Sequence, residues 1–288
     1  LDGPTLWELM EGEGVEAGWG VPTVWLGLLD EFEKRGRKPK ALSQILTGGS
    51  AMPLAMIETF TRDYGIEVTH GWGMTEMSPV GTLTLLRAEE KALTPIERAH
   101  LASRQGRRMF GVDLKVIDEK GNRAPADGET SGELFVRGPA IVSGYYNNEE
   151  ASKKQIDSEG WFATGDVAKI NQDGWLMIVD RTKDLVKSGG EWISSVELEG
   201  HLLGHPLVAD AAVVGIPSKK WDERPVAVVV PAGDETPTLE SVREFLASRV
   251  AKWWLPDEVV IVDTIPKTSV GKLDKKVLRD QLSTMELP

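Results

Sequence analysis

The seven residues His70–Glu76 (HGWGMTE) constrain this chain more than any other stretch. They follow Ile66-Glu67-Val68-Thr69, an apolar and β-branched segment that reads as a short strand. Two glycines at a strand end let the backbone approach a ligand closely. Read as exposed, Trp72 offers a flat face for a base. The Thr75 hydroxyl suits a phosphate oxygen, and the Glu76 carboxylate suits a hard cation such as Mg²⁺. The same residues also describe a buried aromatic corner followed by a Thr-Glu helix start. The stretch alone does not choose between a nucleotide site and plain packing.

The residues before it sharpen the fold. Ile45-Leu46 reads as a buried strand running into Thr47-Gly48-Gly49-Ser50-Ala51. Pro53 opens a helix to about Tyr64, with proline in the first turn, and Gly65 ends it. The 66–69 strand completes a βαβ unit whose short connections favour a parallel sheet. Ligands of such sheets sit beyond the C-terminal strand ends. Stretches 47–51 and 70–76 both fall there and are expected to face one crevice. Upstream, residues 5–12 read as a helix and Gly18–Thr23 as a turn or strand end. Trp25, Leu26, Leu28, Leu29 and Phe32 form an apolar helical face that stops at Lys34–Pro39.

Residues 88–104 read as one polar helix. From about 110 the pattern turns to short alternating strands with glycine turns, which predicts a small antiparallel sheet or barrel. Residues 149–156 read as a short helix, and a hairpin is expected around Asn171–Gly174. After Arg181 come a strand at 184–187, a helix at 194–203, strands at 208–215 and 226–230, a helix at 238–250, a strand at 259–262 and a last helix at 275–282. The expected fold is therefore α/β and α+β. A partial large domain over 1–179 combines a parallel sheet and helices with a small antiparallel β-subdomain. A small α+β domain follows over 180–288.

Composition removes several function classes. The 33 Lys and Arg against 45 Asp and Glu give a net charge of −12, which disfavours a general nucleic-acid or anionic-membrane surface. Anionic substrates then need local basic residues. The absence of cysteine excludes disulfides, thiol catalysis and Cys-based zinc sites, and is compatible with a cytosolic location. The four histidines have no metal-ligand spacing. No apolar run approaches the roughly 20 residues of a membrane span, and no signal peptide is visible. The start Leu1-Asp2-Gly3-Pro4 lacks Met and reads as the middle of a longer polypeptide.

Each remaining chemical residue carries two readings. Asp166, in Thr164-Gly165-Asp166, suits the two hydroxyls of a ribose or satisfies its own turn. Arg181 and Lys183 lie at the domain junction or form a solvated turn. Lys187-Ser188-Gly189-Gly190 lets backbone pass a narrow ligand or is a plain loop. Trp192 lines a channel or packs. In Ile265–Lys272 (IPKTSVGK), Lys272 reaches an anionic substrate and offsets charge in a transition state, or is a solvated lysine.

Taken in order, TGGS (47–50), HGWGMTE (70–76), GELFVRGPAIVSGYYN (132–147), GWFATGD (160–166), DRTKDLVKSGGEWISSVELE (180–199) and PKTSVGK (266–272) resemble the acyl-adenylate-forming ligases. GVPTVW (20–25), GWGMTEMSP (71–79) and SGGEWISS (188–195) are similar to the medium- and long-chain fatty acyl-CoA synthetases and to the methylmercaptopropionate-CoA ligases. The resemblance implies a cytoplasmic enzyme whose substrates are ATP, a fatty or other carboxylic acid and coenzyme A, with Mg²⁺. An acyl-adenylate forms first and the thioester second. By resemblance, Gly49, Ser50, Gly71 and Trp72 border the adenine, with Trp72 where Tyr is usual. Thr75 contacts phosphate and Glu76 holds Mg²⁺. Asp166 takes the ribose hydroxyls, assisted by Arg181. Lys183 is the hinge, and Lys187 and Trp192 lie on nucleotide and interface sides. Ser188, Gly189 and Gly190 lie beside the pantetheine tunnel, and Lys272 serves the adenylation step. Val21, Pro22, Thr23 and Trp25 border the acyl pocket.

The family's phosphate loop, of the type TSGTTGxPKG, is absent from these residues. The resemblance thus matches the C-terminal half of such an enzyme, and the isolated chain is expected not to adenylate at a normal rate. Core faces within 1–110 are expected to be exposed. A non-catalytic AMP or acyl-adenylate binding module, a half-enzyme completed in trans, and a short thioether acid as substrate stay open as alternatives. A homodimer is one assembly the resemblance allows for the full-length enzyme.

Overall fold

A computed structural model describes residues 2–268 and 272–283. The chain divides into two compact units, Leu1–Ile178 and Val179–Pro288. Among the described residues, no helix is long and apolar enough to cross a membrane.

The first unit opens with helix α1 (Gly3–Gly12), which Asp2 caps by accepting a 2.9 Å hydrogen bond from Thr5 N–H. Strand β1 (Ala17–Gly20) leads to helix α2 (Pro22–Arg35), started by proline and ended by Gly36 at φ 66°. Strand β2 (Gln44–Thr47) and helix α3 (Leu54–Glu58), continued by a wider turn over Thr59–Asp63, reach strand β3 (Glu67–Gly73). Strands β1, β2 and β3 are parallel neighbours, as the βαβ reading expects. Strand β4 (Val80–Leu83) then pairs antiparallel to β3. The polar stretch 88–104 is two helices, α4 (Ala88–Lys91) and α5 (Pro95–Ala102), rather than one. Pro95 and a capping box between Thr94 and Glu97 start a new helix there. Strand β5 (Arg107–Arg108) closes this sheet in the order β1-β2-β3-β4-β5. Trp25, Phe32, Ile45, Ile57, Phe60 and Val68 pack its core.

A second sheet of this unit holds β6 (Asp113–Ile117), β7 (Gly132–Arg137), β8 (Phe162–Ile170) and β9 (Leu176–Arg181), in that order. Helix α6 (Glu149–Gln155) lies between β7 and β8 in the chain. Apolar side chains that include Val116, Leu134, Val136, Phe162 and Leu176 cluster with Trp72 and Met77. The sheet is open, so of the sheet-or-barrel expectation the sheet is what forms.

In the second unit, β10 (Val186–Ser188) and β11 (Glu191–Ile193) form a tight hairpin where the sequence predicts only a strand at 184–187. Helix α7 (Ser195–Leu202) leads to the long strands β12 (Val208–Ser218) and β13 (Asp222–Pro231). Helix α8 (Leu239–Leu246), β14 (Glu258–Ile261) and α9 (Lys275–Gln281) complete the unit. The sheet runs β11-β10-β13-β12, with β14 parallel to β13. It is apolar on both faces, so its central strands are continuous Val and Ala runs. Ala211, Val213, Ala227 and Val229 pack with Leu198, Leu202, Val242 and Leu246 of α7 and α8. Ala212, Val214, Val226 and Val228 face Ile265 and Leu278 instead.

Candidate active site

In the first unit the parallel register sets Gly20 beside Thr47 and Thr47 beside His70. The segments starting at Val21, Gly48 and Gly71 therefore leave one edge of the sheet. A Cβ on Gly48 would lie 2.9 Å from the Gly71 carbonyl oxygen, so the two glycine stretches touch. Gly49 takes φ 86°, and Gly49 and Ser50 are exposed.

Strand β3 does not stop at Thr69 as the sequence reading expects. It continues to Gly73 because β4 folds back on it, with Gly71 opposite Leu83 and Trp72 opposite Thr82. Gly73 is needed there, since a Cβ would come within 1.9 Å of the Pro79 carbonyl oxygen. The turn between the strands is a single 3₁₀ turn, Thr75–Met77, which puts Thr75 at the surface and leaves Glu76 half-buried. The Glu76 carboxylate accepts a 2.9 Å hydrogen bond from the Tyr145 hydroxyl. The Glu76 carbonyl accepts another, 2.8 Å long, from Val142 N–H. The GELF…YYN stretch is thereby laid on the Thr75-Glu76 turn. Burial, and secondly the Glu76 carboxylate, push the Tyr145 hydroxyl above its ordinary value.

Trp72 is buried at 9% exposure and packs with Met77, Leu134 and Phe162, so of its two readings the buried aromatic corner forms and the open stacking face does not. Its register slips against β4 between Trp72 and Gly73, and Gly81 makes room for the ring. The indole N–H donates a 2.8 Å hydrogen bond to an Asp166 carboxylate oxygen. Asp166 reaches that position because Thr164-Gly165-Asp166 forms a bulge. Glu133 pairs with Val167 and Phe135 with Ala163, so three residues of β8 oppose Leu134 alone. A bulge re-aims the side chains it carries. The Thr164 hydroxyl fixes it by donating to the Leu134 carbonyl at 2.8 Å and accepting from Asp166 N–H at 3.1 Å.

His70 is fully buried, its Nδ1 3.2 Å from the Ala102 carbonyl, and burial holds its imidazole below the ordinary value. It is a structural link between β3 and α5. Of the four residues read as acyl-pocket border, Val21 is half-buried, Thr23 is exposed and Pro22 is buried. Trp25 is core. It donates to the carbonyls of Gly20 and Leu46, each at 3.2 Å, and fills the space that Gly18 and Gly20 leave.

In the second unit, Arg181 ends β9 and Lys183 sits in the following turn, both exposed. Two contacts tie this turn to helix α9. Asp184 accepts from Arg279 at 2.8 Å. Asp180, fully buried, accepts from Ser195 N–H at 2.6 Å and from the Ser195 hydroxyl, which in turn accepts from Lys275 Nζ at 2.6 Å. Lys275 also pairs with Glu199 at 2.7 Å. Lys272 precedes α9 and is half-buried. Its N–H donates to the Thr268 hydroxyl, and its carbonyl accepts from Thr268 N–H at 2.7 Å. Ser269, Val270 and Gly271 of the PKTSVGK stretch lie outside the described residues. Lys187 is exposed and stands opposite the half-buried Trp192 in the β10–β11 hairpin, whose tip is Gly189 at φ 61° and Gly190 at φ 85°.

Sequence reasoning assigned no role to Tyr145, Thr164, Asp180, Ser195, Glu199 or Lys275. Tyr145, Thr164, Asp180, Ser195 and Glu199 lie in the motif stretches, so position is the available signal for them, whereas Lys275 looks like an ordinary surface lysine.

Among the described residues, no cluster of three or more His, Asp or Glu side chains is arranged to hold a metal. Glu76 is a single accessible carboxylate. That donor suits an ion such as Mg²⁺, which keeps most of its ligands from phosphate oxygens and water.

Comparison with known proteins gives a consistent result. Residues 1–146 match the family model described as AMP-binding enzyme, and residues 197–272 match the AMP-binding enzyme C-terminal domain. A 3-methylmercaptopropionyl-CoA ligase of Ruegeria lacuscaerulensis is 47% identical over 282 residues, covering 98% of this chain and 52% of the relative. A long-chain fatty acid–CoA ligase of Thermus thermophilus is 48% identical over 282 residues, with the same coverage. Among solved structures, the o-succinylbenzoate CoA synthetase of Bacillus subtilis in complex with its acyl-adenylate superposes with a TM-score of 0.82 at 29% identity, covering 99% of this chain and 54% of that one. ATP-bound MatB from Rhodopseudomonas palustris gives 0.84 at 27% identity, covering 99% and 54%. The chain spans about half the length of the curated relatives it matches.

Proposed function

The chain belongs to the AMP-binding enzyme family, and from that premise we propose that it serves an AMP-forming acid–thiol ligase. ATP and a carboxylic acid give an acyl-adenylate and pyrophosphate, and the thiol of coenzyme A then displaces AMP to give the thioester. The substrate is a fatty acid, with a short thioether acid as the second reading. The second rests on the 47% identity to the Ruegeria ligase, beside 48% to the Thermus fatty acid ligase.

The observation that carries the proposal is the 2.8 Å bond between Trp72 and Asp166. Two motifs 94 residues apart meet there, beside the touching glycines of the strand ends. Asp166 takes the ribose hydroxyls, assisted by Arg181, and the Trp72 indole N–H keeps its carboxylate aimed. Gly49, Ser50, Gly71 and the Trp72 edge border the adenine, and Thr75 donates to a phosphate oxygen. Glu76, steadied by Tyr145, holds Mg²⁺, which when bound neutralises phosphate charge. Lys272 supplies positive charge to the attacking carboxylate and the bridging phosphate oxygen, attraction most useful in the transition state. Lys183 is the hinge residue, with Lys187 on the nucleotide side. Ser188, Gly189, Gly190 and Trp192 flank the pantetheine arm, and Val21, Pro22 and Thr23 border the acyl group.

The test is made on the natural polypeptide that contains these residues. Asp166→Ala lowers ATP–pyrophosphate exchange by about 100-fold, since loss of a positioning contact misplaces the reacting phosphate. Exchange at the unaltered rate would remove the ribose assignment.

A further inference from the structure

The β10–β11 hairpin tip is pinned from below by one buried guanidinium that no motif reading singles out. Arg224, on β13, is 7% exposed. An arginine carries five N–H donors, and all five are engaged. Nε and Nη2 form a fork with the Asp257 carboxylate at 2.8 and 3.0 Å. Nη2 also donates to the Leu255 carbonyl at 3.1 Å, and Nη1 donates to the Trp253 carbonyl at 2.8 Å. The remaining Nη1 hydrogen goes to the Ser188 hydroxyl at 2.9 Å, and Ser188 is itself buried. Two further contacts come from the same edge. Gly189 N–H donates to the Trp221 carbonyl at 2.8 Å, and Lys187 N–H donates to the Glu223 carboxylate at 2.9 Å. Three successive hairpin residues are therefore each held by a residue between 221 and 224. A Cβ on Gly189 would stand 2.9 Å from the Trp221 ring, so the tip has one close-packed seat.

We propose that Arg224 is a positioning residue for the thiol step: it fixes the Ser188–Gly190 turn in the shape that admits the slender arm of the thiol substrate. The inference rests on the assignment of that turn under the proposed function. A planar fork with permanent charge suits the task. It fixes direction as well as distance. An ammonium has only three donors on a rotating group, so lysine cannot reproduce the set.

Both half-reactions are measured on the natural polypeptide, with rates divided by active sites titrated as bound acyl-adenylate. For Arg224→Gln, transfer from preformed acyl-adenylate to coenzyme A falls by about 10-fold, as expected for a displaced positioning element, while ATP–pyrophosphate exchange stays within about twofold. Arg224→Lys falls between. Equal loss of both half-reactions, or unchanged transfer, overturns the proposal. If the Arg224 variants do not fold, Asp257→Asn decides, because it weakens the fork that aims the guanidinium without touching the turn: transfer slowed alone supports the proposal, and unchanged transfer or equal loss of both half-reactions overturns it. Gly189→Ala tests the underlying assignment separately. Transfer unchanged in Gly189→Ala removes the turn from the thiol path and the proposal with it. Transfer slowed in Gly189→Ala but not in the Arg224 variants sinks the positioning role only.

Discussion

Arg224 and Lys275 are both buried cations of the second unit, and they are held by different chemistry. Arg224 spends its five donors on two backbone carbonyls, a hydroxyl and the partly accessible Asp257 carboxylate. Lys275 is paired with Glu199, which is as buried as the lysine and also accepts from Val213 N–H at 2.7 Å. Burial is the largest influence on Glu199 and pushes its carboxyl up to about 7, with Lys275 pulling the other way and Asp180 adding to the rise. The lysine anchor therefore contains a group that titrates near neutrality. The arginine anchor sits under the Ser188–Gly190 turn. The lysine anchor ties Asp180, next to the proposed hinge, to the helix that follows Lys272.

The sharpest break of this contrast is Lys275→Met. It leaves Glu199 buried without its partner, and removing one member of a buried pair costs about 3–5 kcal/mol. Urea unfolding read by hydrogen exchange in β12 and β13 should show that loss. Arg224→Met should cost less, about 2–3 kcal/mol by the same measurement, because Asp257 can rehydrate while the carbonyls lose charged donors. Third in size is the pH dependence. The Glu199 carboxyl has a folded-state value near 7 against an ordinary value of 4.5. The folded state thus holds the proton more tightly, and this contribution to stability is full below about pH 4.5 and lost as pH rises through about 7. From pH 5 to pH 8 the second unit should weaken by on the order of 2 kcal/mol. Glu199→Gln should flatten that slope, and Arg224→Met should leave it unchanged. A slope that persists in Glu199→Gln would place the titrating group elsewhere.

The sequence was most legible where one residue type imposes one backbone outcome. Pro22 and Gly36 bracket α2, and Gly65 at φ 62° separates its helix from β3. Uninterrupted Val and Ala runs marked the central strands of the second unit because both faces are covered. Legibility failed where a partner strand decides. Glycines 71 and 73 read as the end of a strand, yet β4 draws them into the sheet. Asp166 reads as a turn aspartate, and only pairing with β7 turns its triplet into a bulge. Trp72 reads either as an exposed stacking face or as a buried corner, and Gly81, distant enough to be invisible to local pattern, gives its ring the buried seat. Arg224 stands in Asp222-Glu223-Arg224-Pro225, which looks like a solvated charge run until the β10–β11 hairpin and the segment 253–257 ahead of β14 surround it.

The claim on which the account turns is that Lys272 serves the first half-reaction alone. The direct measurement follows both half-reactions of Lys272→Ala in the full natural protein. ATP–pyrophosphate exchange should disappear while transfer from preformed acyl-adenylate to coenzyme A persists. Equal loss of both, or exchange that survives, would contradict it.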